Sequence, residues 1–166
     1  MGKVFITDYI KNPNFEKKIL GNLLTKVKED ASVLLVWHKI INSEYLDKFT
    51  KVKLLIRYGV GCDNIDFHEI KKRGIMLCNT PDYGVDEVSD TNLAMLMNIT
   101  RKLAHYDAIS KKISDGSWQE NIFKDIRRNS EIAVGIIGAG RIGSLFALKA
   151  KSVGFKVSIY DPYDNR

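Results

Sequence analysis

Short apolar runs and helical patterns alternate along the first half of the chain. The helical patterns are an apolar stripe over about residues 15–28, a short segment that Asn42 or Ser43 begins, and a helix over residues 67–73 that Gly74 ends. Strands that alternate with helices form a parallel sheet covered on both faces. The apolar runs predict the strands of this sheet at residues 4–7, 31–36, 52–56 and 75–78.

The alternation stops at residues 79–84, NTPDYG. One helix is predicted from about residue 86 to about residue 114, where Asp115-Gly116-Ser117-Trp118 ends it. A helix of this length is more than one small domain needs. We therefore expect it to cross from a first domain, residues 1–100, to a second, residues 101–166, and to offer its outer face to a second copy in a homodimer.

A strand, a glycine turn, a helix and a second strand follow one another near the end of the chain. The strand at residues 132–137 runs into Gly138-Ala139-Gly140-Arg141-Ile142-Gly143, which reads G-x-G-x-x-G. A helix over residues 142–153 and a strand over residues 156–160 come next, and Asp161 ends the unit. Together these features predict a dinucleotide-binding βαβ unit rather than a glycine turn that binds nothing.

Each part of this unit has a chemical reason. Gly138 permits the tight turn, Gly140 lets the backbone approach a pyrophosphate, and Gly143 lets the helix pack close to the strand. The phosphates would lie at the helix N-terminus, where free N–H groups favour negative charge and Arg141 adds a cation. The Asp161 carboxylate would accept hydrogen bonds from ribose hydroxyls and repel a 2′-phosphate. The predicted cofactor is therefore NAD rather than NADP.

Composition and charge narrow the class of protein. The chain has 166 residues, 45% hydrophobic and 28% charged, which is typical of globular proteins. We expect a cytoplasmic protein, because no apolar run is long enough for a membrane span and the N-terminus lacks the pattern of a signal peptide. The lysines behind the net charge of +6 are scattered, which argues against nucleic acid. Cys62, in a loop, and Cys78, in the core, are expected to be reduced, and no metal site is predicted.

Three stretches resemble the D-isomer-specific 2-hydroxyacid dehydrogenases, whose relatives include phosphoglycerate dehydrogenase and the C-terminal-binding proteins. They are Arg57 to Asp66, RYGVGCDNID; residues 78–90, from Cys78-Asn79-Thr80-Pro81 to Glu87-Val88-Ser89-Asp90; and the glycine turn with Asp161-Pro162-Tyr163. The resemblance implies a flavodoxin-like parallel-sheet substrate domain, followed by the first βαβ unit of a Rossmann NAD-binding domain, with the substrate in the cleft between the two.

The resemblance also implies roles for individual residues. Backbone N–H groups of the loop Tyr58, Gly59, Val60 and Gly61 would hold the carboxylate of a small 2-hydroxy or 2-oxo acid. His38 and Arg57 would line the cleft, unless His38 is an ordinary loop histidine and Arg57 forms a surface ion pair. The NAD-binding set is Val60 and Val88, at the nicotinamide end, with Gly138, Gly140, Arg141, Ile142, Gly143 and Asp161.

The family's catalytic arginine, glutamate and histidine are expected beyond Arg166, so no residue here is assigned a catalytic role. The histidines His38, His68 and His105 all precede the glycine turn and match none of those positions. We therefore expect an N-terminal part of the enzyme that is inactive alone, with an apolar face and a strand edge of the second sheet uncovered. The alternatives are an NAD-sensing scaffold that is not an enzyme and a truncated gene product without activity.

Overall fold

A computed structural model describes residues 2–8, 12–112 and 123–163 of the chain. The chain divides into two compact units, a first unit over Met1–Tyr83 and a second over Gly84–Arg166. The sequence predicted the division near residue 100 instead. It falls earlier because the long helical segment packs within the second unit, where Lys149 Nζ donates to Ser89 Oγ at 2.7 Å and to Asp90 Oδ1 at 2.6 Å.

A four-stranded parallel sheet forms the centre of the first unit. Residue pairs such as Val33–Leu54 and Leu35–Ile56 fix the register between the second and third strands. Leu34, Leu55 and Ile41 are fully buried in the core beside the sheet. The strands are β1 (Lys3–Ile6), β2 (Ala31–Val36), β3 (Leu54–Arg57) and β4 (Met76–Cys78), in that spatial order, so the four predicted strands are confirmed to within two residues.

A fifth, rudimentary strand lies on the outer side of β1. Val4 forms a parallel bridge with Leu24, and the Thr25 N–H donates to the Val4 carbonyl at 2.9 Å. When Leu24 is counted as the second strand in the chain, the spatial order becomes 2-1-3-4-5, which is the flavodoxin-like order. The predicted fold class of this unit is therefore confirmed.

The described part of the first unit contains three α-helices, and capping side chains begin the second and the third. The helices are α1 (Asn14–Leu20), α2 (Ser43–Leu46) and α3 (Phe67–Lys72). The Asn42 side chain accepts from the Tyr45 N–H and begins α2, and the Asp66 side chain accepts from the Glu69 N–H and begins α3. The residues predicted to turn inward from α2, namely Tyr45, Leu46 and Phe49, are buried.

Two predictions for the first unit are wrong. The helix predicted over residues 15–28 ends at Leu20, because Gly21 adopts a positive φ of 48° and Leu24 then extends along β1. Cys78 was predicted in the core but is exposed, because it belongs to the three-residue edge strand β4.

The second unit contains helices on one two-stranded parallel sheet. Its elements are α4 (Val85–Arg101), α5 (Leu103–Ser110), β5 (Ala133–Ile137), α6 (Arg141–Ser152) and β6 (Lys156–Tyr160), with β5 paired to β6. The predicted strand, helix and strand of the βαβ unit are thus confirmed, each within one residue. Apolar side chains of this sheet are exposed, as predicted: Ile137 is 88% exposed and Ile159 is 47% exposed.

The single long helix predicted over residues 86–114 is wrong, because two helices meet at Lys102. Lys102 has a left-handed backbone with φ of 56°, and its N–H donates to the Asn98 carbonyl to close α4. The Asn98 side chain then accepts from the Ala104 N–H at 2.9 Å and begins α5. The predicted end of the helix at residues 115–118 lies outside the described residues. Within the described ranges, no helix is long and apolar enough to cross a membrane.

Candidate functional site

The glycine turn of the second unit lies between β5 and α6. The Gly138 N–H donates to the Tyr160 carbonyl at 2.8 Å, which continues the β5–β6 pairing into the turn. Gly138 has a φ of 101°, a conformation that a side chain would strain. Ser144 Oγ donates to the Ala139 carbonyl at 2.7 Å and ties the first turn of α6 to the glycine turn.

Gly140 and Gly143 are required for different reasons. A Cβ on Gly143 would lie 2.0 Å from the carbonyl oxygen of Gly138, so the helix and the turn approach too closely for any side chain. A Cβ on Gly140 would meet nothing within 4 Å, and Gly140 has an ordinary φ of −65°. The chain's own packing therefore accounts for Gly143 but not for Gly140, whose missing side chain leaves open space above the backbone for a ligand.

The N-terminus of α6 opens onto that space. No side chain in the described part of the chain caps this helix. The first N–H groups of a helix lack intrahelical partners and carry the positive end of its dipole. A helix of twelve residues that begins at Arg141 directly after a glycine turn can therefore hold a phosphate or pyrophosphate on its backbone.

Asp161 lies beside the turn, as the sequence predicts. Its Oδ2 accepts from the Ala139 N–H at 2.7 Å, and its Oδ1 accepts from the Tyr163 N–H at 2.9 Å. Each carboxylate oxygen can accept more than one hydrogen bond. Asp161 can therefore fix the glycine turn and still receive hydroxyl donors from a ribose.

The predicted substrate residues come together in the first unit. The Trp37 ring stacks on His38 with 4.6 Å between the ring centroids, and the Arg57 guanidinium carbon lies 5.4 Å from the centre of the Trp37 ring. Arg57 Nη1 donates to the Tyr58 carbonyl. The structure thus links His38, which follows β2, to Arg57, which ends β3, through the face of Trp37.

The loop Tyr58–Gly61 is held by contacts that the sequence alone does not reveal. Asn79 Nδ2 donates to the Val60 carbonyl at 2.9 Å, and the Thr80 N–H donates to the Gly59 carbonyl at 3.2 Å. The Tyr58 hydroxyl lies 3.3 Å from Glu16 Oε1 of α1. These partners orient the loop without using the N–H groups of Val60 and Gly61. The N–H groups of Tyr58 and Gly59 donate to the Val36 carbonyl at 2.8 Å and the Arg57 carbonyl at 3.0 Å, so the prediction that all four N–H groups hold a carboxylate is wrong for these two.

Two further residues fix the segment that carries Trp37 and His38. They are Asp8, which follows β1, and Asn64, which lies in the loop before α3. The sequence places Asp8 at the same sheet edge as His38, because both follow strands of one parallel sheet, but it does not show that these two strands are neighbours. Val60 is 47% exposed in the first unit and Val88 is 43% exposed in the second. Both side chains are therefore accessible to a ligand.

Comparisons with known proteins agree with these features. Residues 5–146 match the family described as D-isomer specific 2-hydroxyacid dehydrogenase, catalytic domain. The chain is 38% identical over 145 residues to the glyoxylate reductase of Thermococcus litoralis, covering 84% of this chain and 43% of that protein. It is 31% identical over 143 residues to C-terminal-binding protein 1 of Caenorhabditis elegans, covering 83% of this chain and 20% of that protein.

A solved structure extends the likeness to three dimensions. The D-lactate dehydrogenase of Aquifex aeolicus, complexed with NAD and lactic acid, superposes with a TM-score of 0.83 at 27% identity. The match covers 99% of this chain and 53% of that protein. The chain thus spans about half of these relatives' length or less. With the family match over most of its length, the chain belongs to the D-isomer-specific 2-hydroxyacid dehydrogenases.

Proposed function

We propose that this chain supplies the substrate-binding domain and the first part of the NAD-binding domain of a D-2-hydroxyacid dehydrogenase. The reaction is hydride transfer between NAD and C2 of a small 2-hydroxy or 2-oxo acid, glyoxylate being one candidate because of the relative from Thermococcus litoralis. The observation that carries the proposal is the glycine turn, in which open space over Gly140 faces the N-terminus of α6.

The chain's residues fit the nucleotide. The pyrophosphate would lie against Gly140 and the backbone N–H groups of Arg141, Ile142 and Gly143. The hydroxyls of the adenosine ribose would donate hydrogen bonds to the Asp161 carboxylate. The Asp161 carboxylate disfavours the 2′-phosphate of NADP. Val60 and Val88 would contact the nicotinamide end. The cofactor supplies the hydride, and the protein orients it.

The substrate would bind at the first unit. In the loop Tyr58–Gly61, the N–H groups of Val60 and Gly61 are of the kind that hold carboxylates, since those of Tyr58 and Gly59 donate to carbonyls of the chain. Arg57 lies over the Trp37 ring, and His38 stacks on the same ring. Arg57 would supply positive charge for the acid, and His38 would supply a polar donor. We assign no proton donor here, because no histidine of this chain matches the catalytic position of the family. The chain's proposed role is to bind, and turnover requires the family's Arg, Glu and His.

The cofactor site is tested by NADH binding to purified variants. Gly140→Val places a branched side chain where the pyrophosphate would lie, so it should abolish binding, whereas Gly135→Val adds the same side chain in open space on β5 and should leave it unchanged. Asp161→Ala removes the ribose acceptor and should weaken binding by about tenfold to a hundredfold. Tight NADH binding by Gly140→Val would show that the assignment is wrong.

A second candidate function is an NAD-binding scaffold that does not turn over substrate. It is favoured by the 31% identity to C-terminal-binding protein 1, which is comparable in extent to the match with the reductase. Both candidates bind NADH, so NADH binding cannot separate them. Steady oxidation of NADH with glyoxylate by the whole protein would establish the enzyme, and binding of NADH without turnover would favour the scaffold.

We also propose that the protein is a cytoplasmic homodimer that uses the outer face of α4. Met95 and Ile99 lie one helical turn apart on this helix and are 59% and 68% exposed. Leu103, at the start of α5, is 53% exposed and extends the apolar surface. Burial of such a patch by a second copy would remove it from water.

A further inference from the structure

Three consecutive backbone N–H groups converge on one carboxylate in the first unit. Asp8 Oδ1 accepts from the Trp37 N–H at 3.0 Å, and Oδ2 accepts from the N–H groups of His38 at 2.7 Å and Lys39 at 2.8 Å. Thr7 Oγ1 donates to Oδ1 at 2.5 Å. Successive N–H groups that point into one concavity form a nest, which is an anion-binding arrangement. Here the chain's own carboxylate fills the nest.

The opposite side of the same segment is held as well. Asn64 Nδ2 donates to the Lys39 carbonyl at 2.8 Å and to the Trp37 carbonyl at 3.3 Å. The N–H groups of residues 37–39 are thus bound by Asp8, and two of their carbonyls are bound by Asn64. No strand or helix includes this segment, so these two side chains determine where it lies.

The nest occupies a special place in the fold. In the order 2-1-3-4-5, β1 and β2 are neighbours from which the chain leaves in opposite directions, and flavodoxin-like proteins bind ligands at this switch point. Burial alone would raise the pKa of Asp8, but hydrogen bonds from Thr7 and from the three N–H groups outweigh it and lower that pKa. The carboxylate is therefore ionised at neutral pH and keeps the nest occupied.

We propose that Asp8 is a positioning residue that fills the nest of residues 37–39 and so holds Trp37 and His38 beside the substrate loop. The proposal rests on the proposed function, because it assumes that the loop Tyr58–Gly61 binds a 2-oxo acid. If the nest lost its carboxylate, the segment would shift, and the stack of His38, Trp37 and Arg57 would shift with it. The N–H groups of the substrate loop would remain, but their charged and aromatic surroundings would not.

The test removes the carboxylate and supplies it again from solution. Asp8→Ala lacks only the CO₂⁻ group, for which formate is the smallest replacement. The control is Asp30→Ala, which removes a carboxylate at the opposite end of β2, where Asp30 contacts Lys51 at 3.4 Å. Glyoxylate affinity is measured without cofactor by an NMR titration of the Val60 and Gly61 amides. NADH affinity and the unfolding temperature are measured for each variant.

The expected result is specific to the nest. Asp8→Ala should bind glyoxylate about tenfold to a hundredfold more weakly while its NADH affinity stays unchanged, since the loss of one hydrogen bond to a charged group costs about that much. Formate, at concentrations too low to compete with glyoxylate in the wild type, should restore the affinity and raise the unfolding temperature of Asp8→Ala. Neither effect is expected for Asp30→Ala. If Asp8 only stabilised the fold, Asp8→Ala would not lose glyoxylate affinity selectively while keeping its NADH affinity.

The contrary results are distinct. Unchanged glyoxylate affinity in Asp8→Ala, or formate effects equal to those in Asp30→Ala, would overturn the proposal. A wild-type chain that binds NADH but not glyoxylate would overturn it too, whereas loss of NADH binding alone would count against the proposed function. If Asp8→Ala does not fold alone, the proposal expects formate to restore its folding. Asp8→Asn fills the space of the carboxylate, so it should bind glyoxylate more weakly than the parent, and formate should not restore that affinity.

Discussion

Gly143→Ala should destabilise the second unit although it adds only one methyl group. The new Cβ would lie 2.0 Å from the Gly138 carbonyl oxygen and 3.6 Å from Ile136 Cγ2. Atoms at such a contact must separate to at least 3.0 Å, so α6 and the glycine turn would have to move apart by roughly 1 Å.

The turn has little freedom to move in response. The Gly138 N–H donates to the Tyr160 carbonyl, and the Ala139 N–H donates to the Asp161 carboxylate. Ser144 Oγ on α6 donates to the Ala139 carbonyl. Separation of the helix from the turn therefore strains or breaks at least one of these hydrogen bonds. Overpacking of this kind costs about 1–3 kcal/mol. For a unit of this size, that cost corresponds to a fall in unfolding temperature of roughly 5–20 °C.

Calorimetry of the full chain measures this fall, and Gly140→Ala is the matched control. The control adds the same methyl group three residues earlier, at the N-cap of α6, into open space and at an ordinary φ. It should unfold at the parent temperature or slightly above, since alanine restricts the unfolded chain. Equal unfolding temperatures for Gly143→Ala and the parent, or an equal fall in Gly140→Ala, would refute the close contact on which the description of the turn depends.

Two further predictions concern association and pH. The double variant Met95→Lys, Ile99→Lys should be a monomer in sedimentation equilibrium, whereas the parent should be a dimer. The control variant Lys17→Met, Lys18→Met on α1 should stay a dimer. A monomeric parent would contradict the proposed interface. Burial, with a contribution from the charge of Asp8, raises the pKa of Tyr45 to about 12, so the folded chain keeps a proton that the unfolded chain loses above pH 10. Stability should therefore fall between pH 10 and pH 12 in urea titrations, and this fall should be smaller in Tyr45→Phe.

The fold could be predicted largely because its strands are short apolar runs bounded by turn residues. β2 and β6 were located to the residue, and the other strands shift by at most two residues. The helix ends were harder, because single backbone conformations decide them. Gly21 ends α1 within a continuing apolar stripe, and Lys102 adopts a left-handed conformation that its side chain does not favour. The Asn98 side chain accepts from the Ala104 N–H at the start of α5, and the composition of the chain does not reveal this contact.

The glycine turn could be predicted because all of its parts are close together in the sequence. The support of residues 37–39 could not be predicted, because Asp8 follows β1 whereas these residues follow β2, and their contact depends on β1 lying beside β2. The exposure of Cys78 has the same origin, since an apolar run does not show whether its strand is central or at the edge. Strand order is the information that the linear pattern lacks.

The two units use one device with different outcomes. In each, an aspartate after one parallel strand accepts N–H groups from the turn that follows the neighbouring strand: Asp8 from the turn after β2, and Asp161 from the turn after β5. Asp8 takes three consecutive N–H groups, so that turn has no capacity for an external anion. Asp161 takes only the N–H of Ala139 from its turn, and the N-terminus of α6 stays available. Under the proposed function, an anionic cofactor would therefore bind at the turn of the second unit, and a substrate carboxylate would bind at the loop Tyr58–Gly61 of the first.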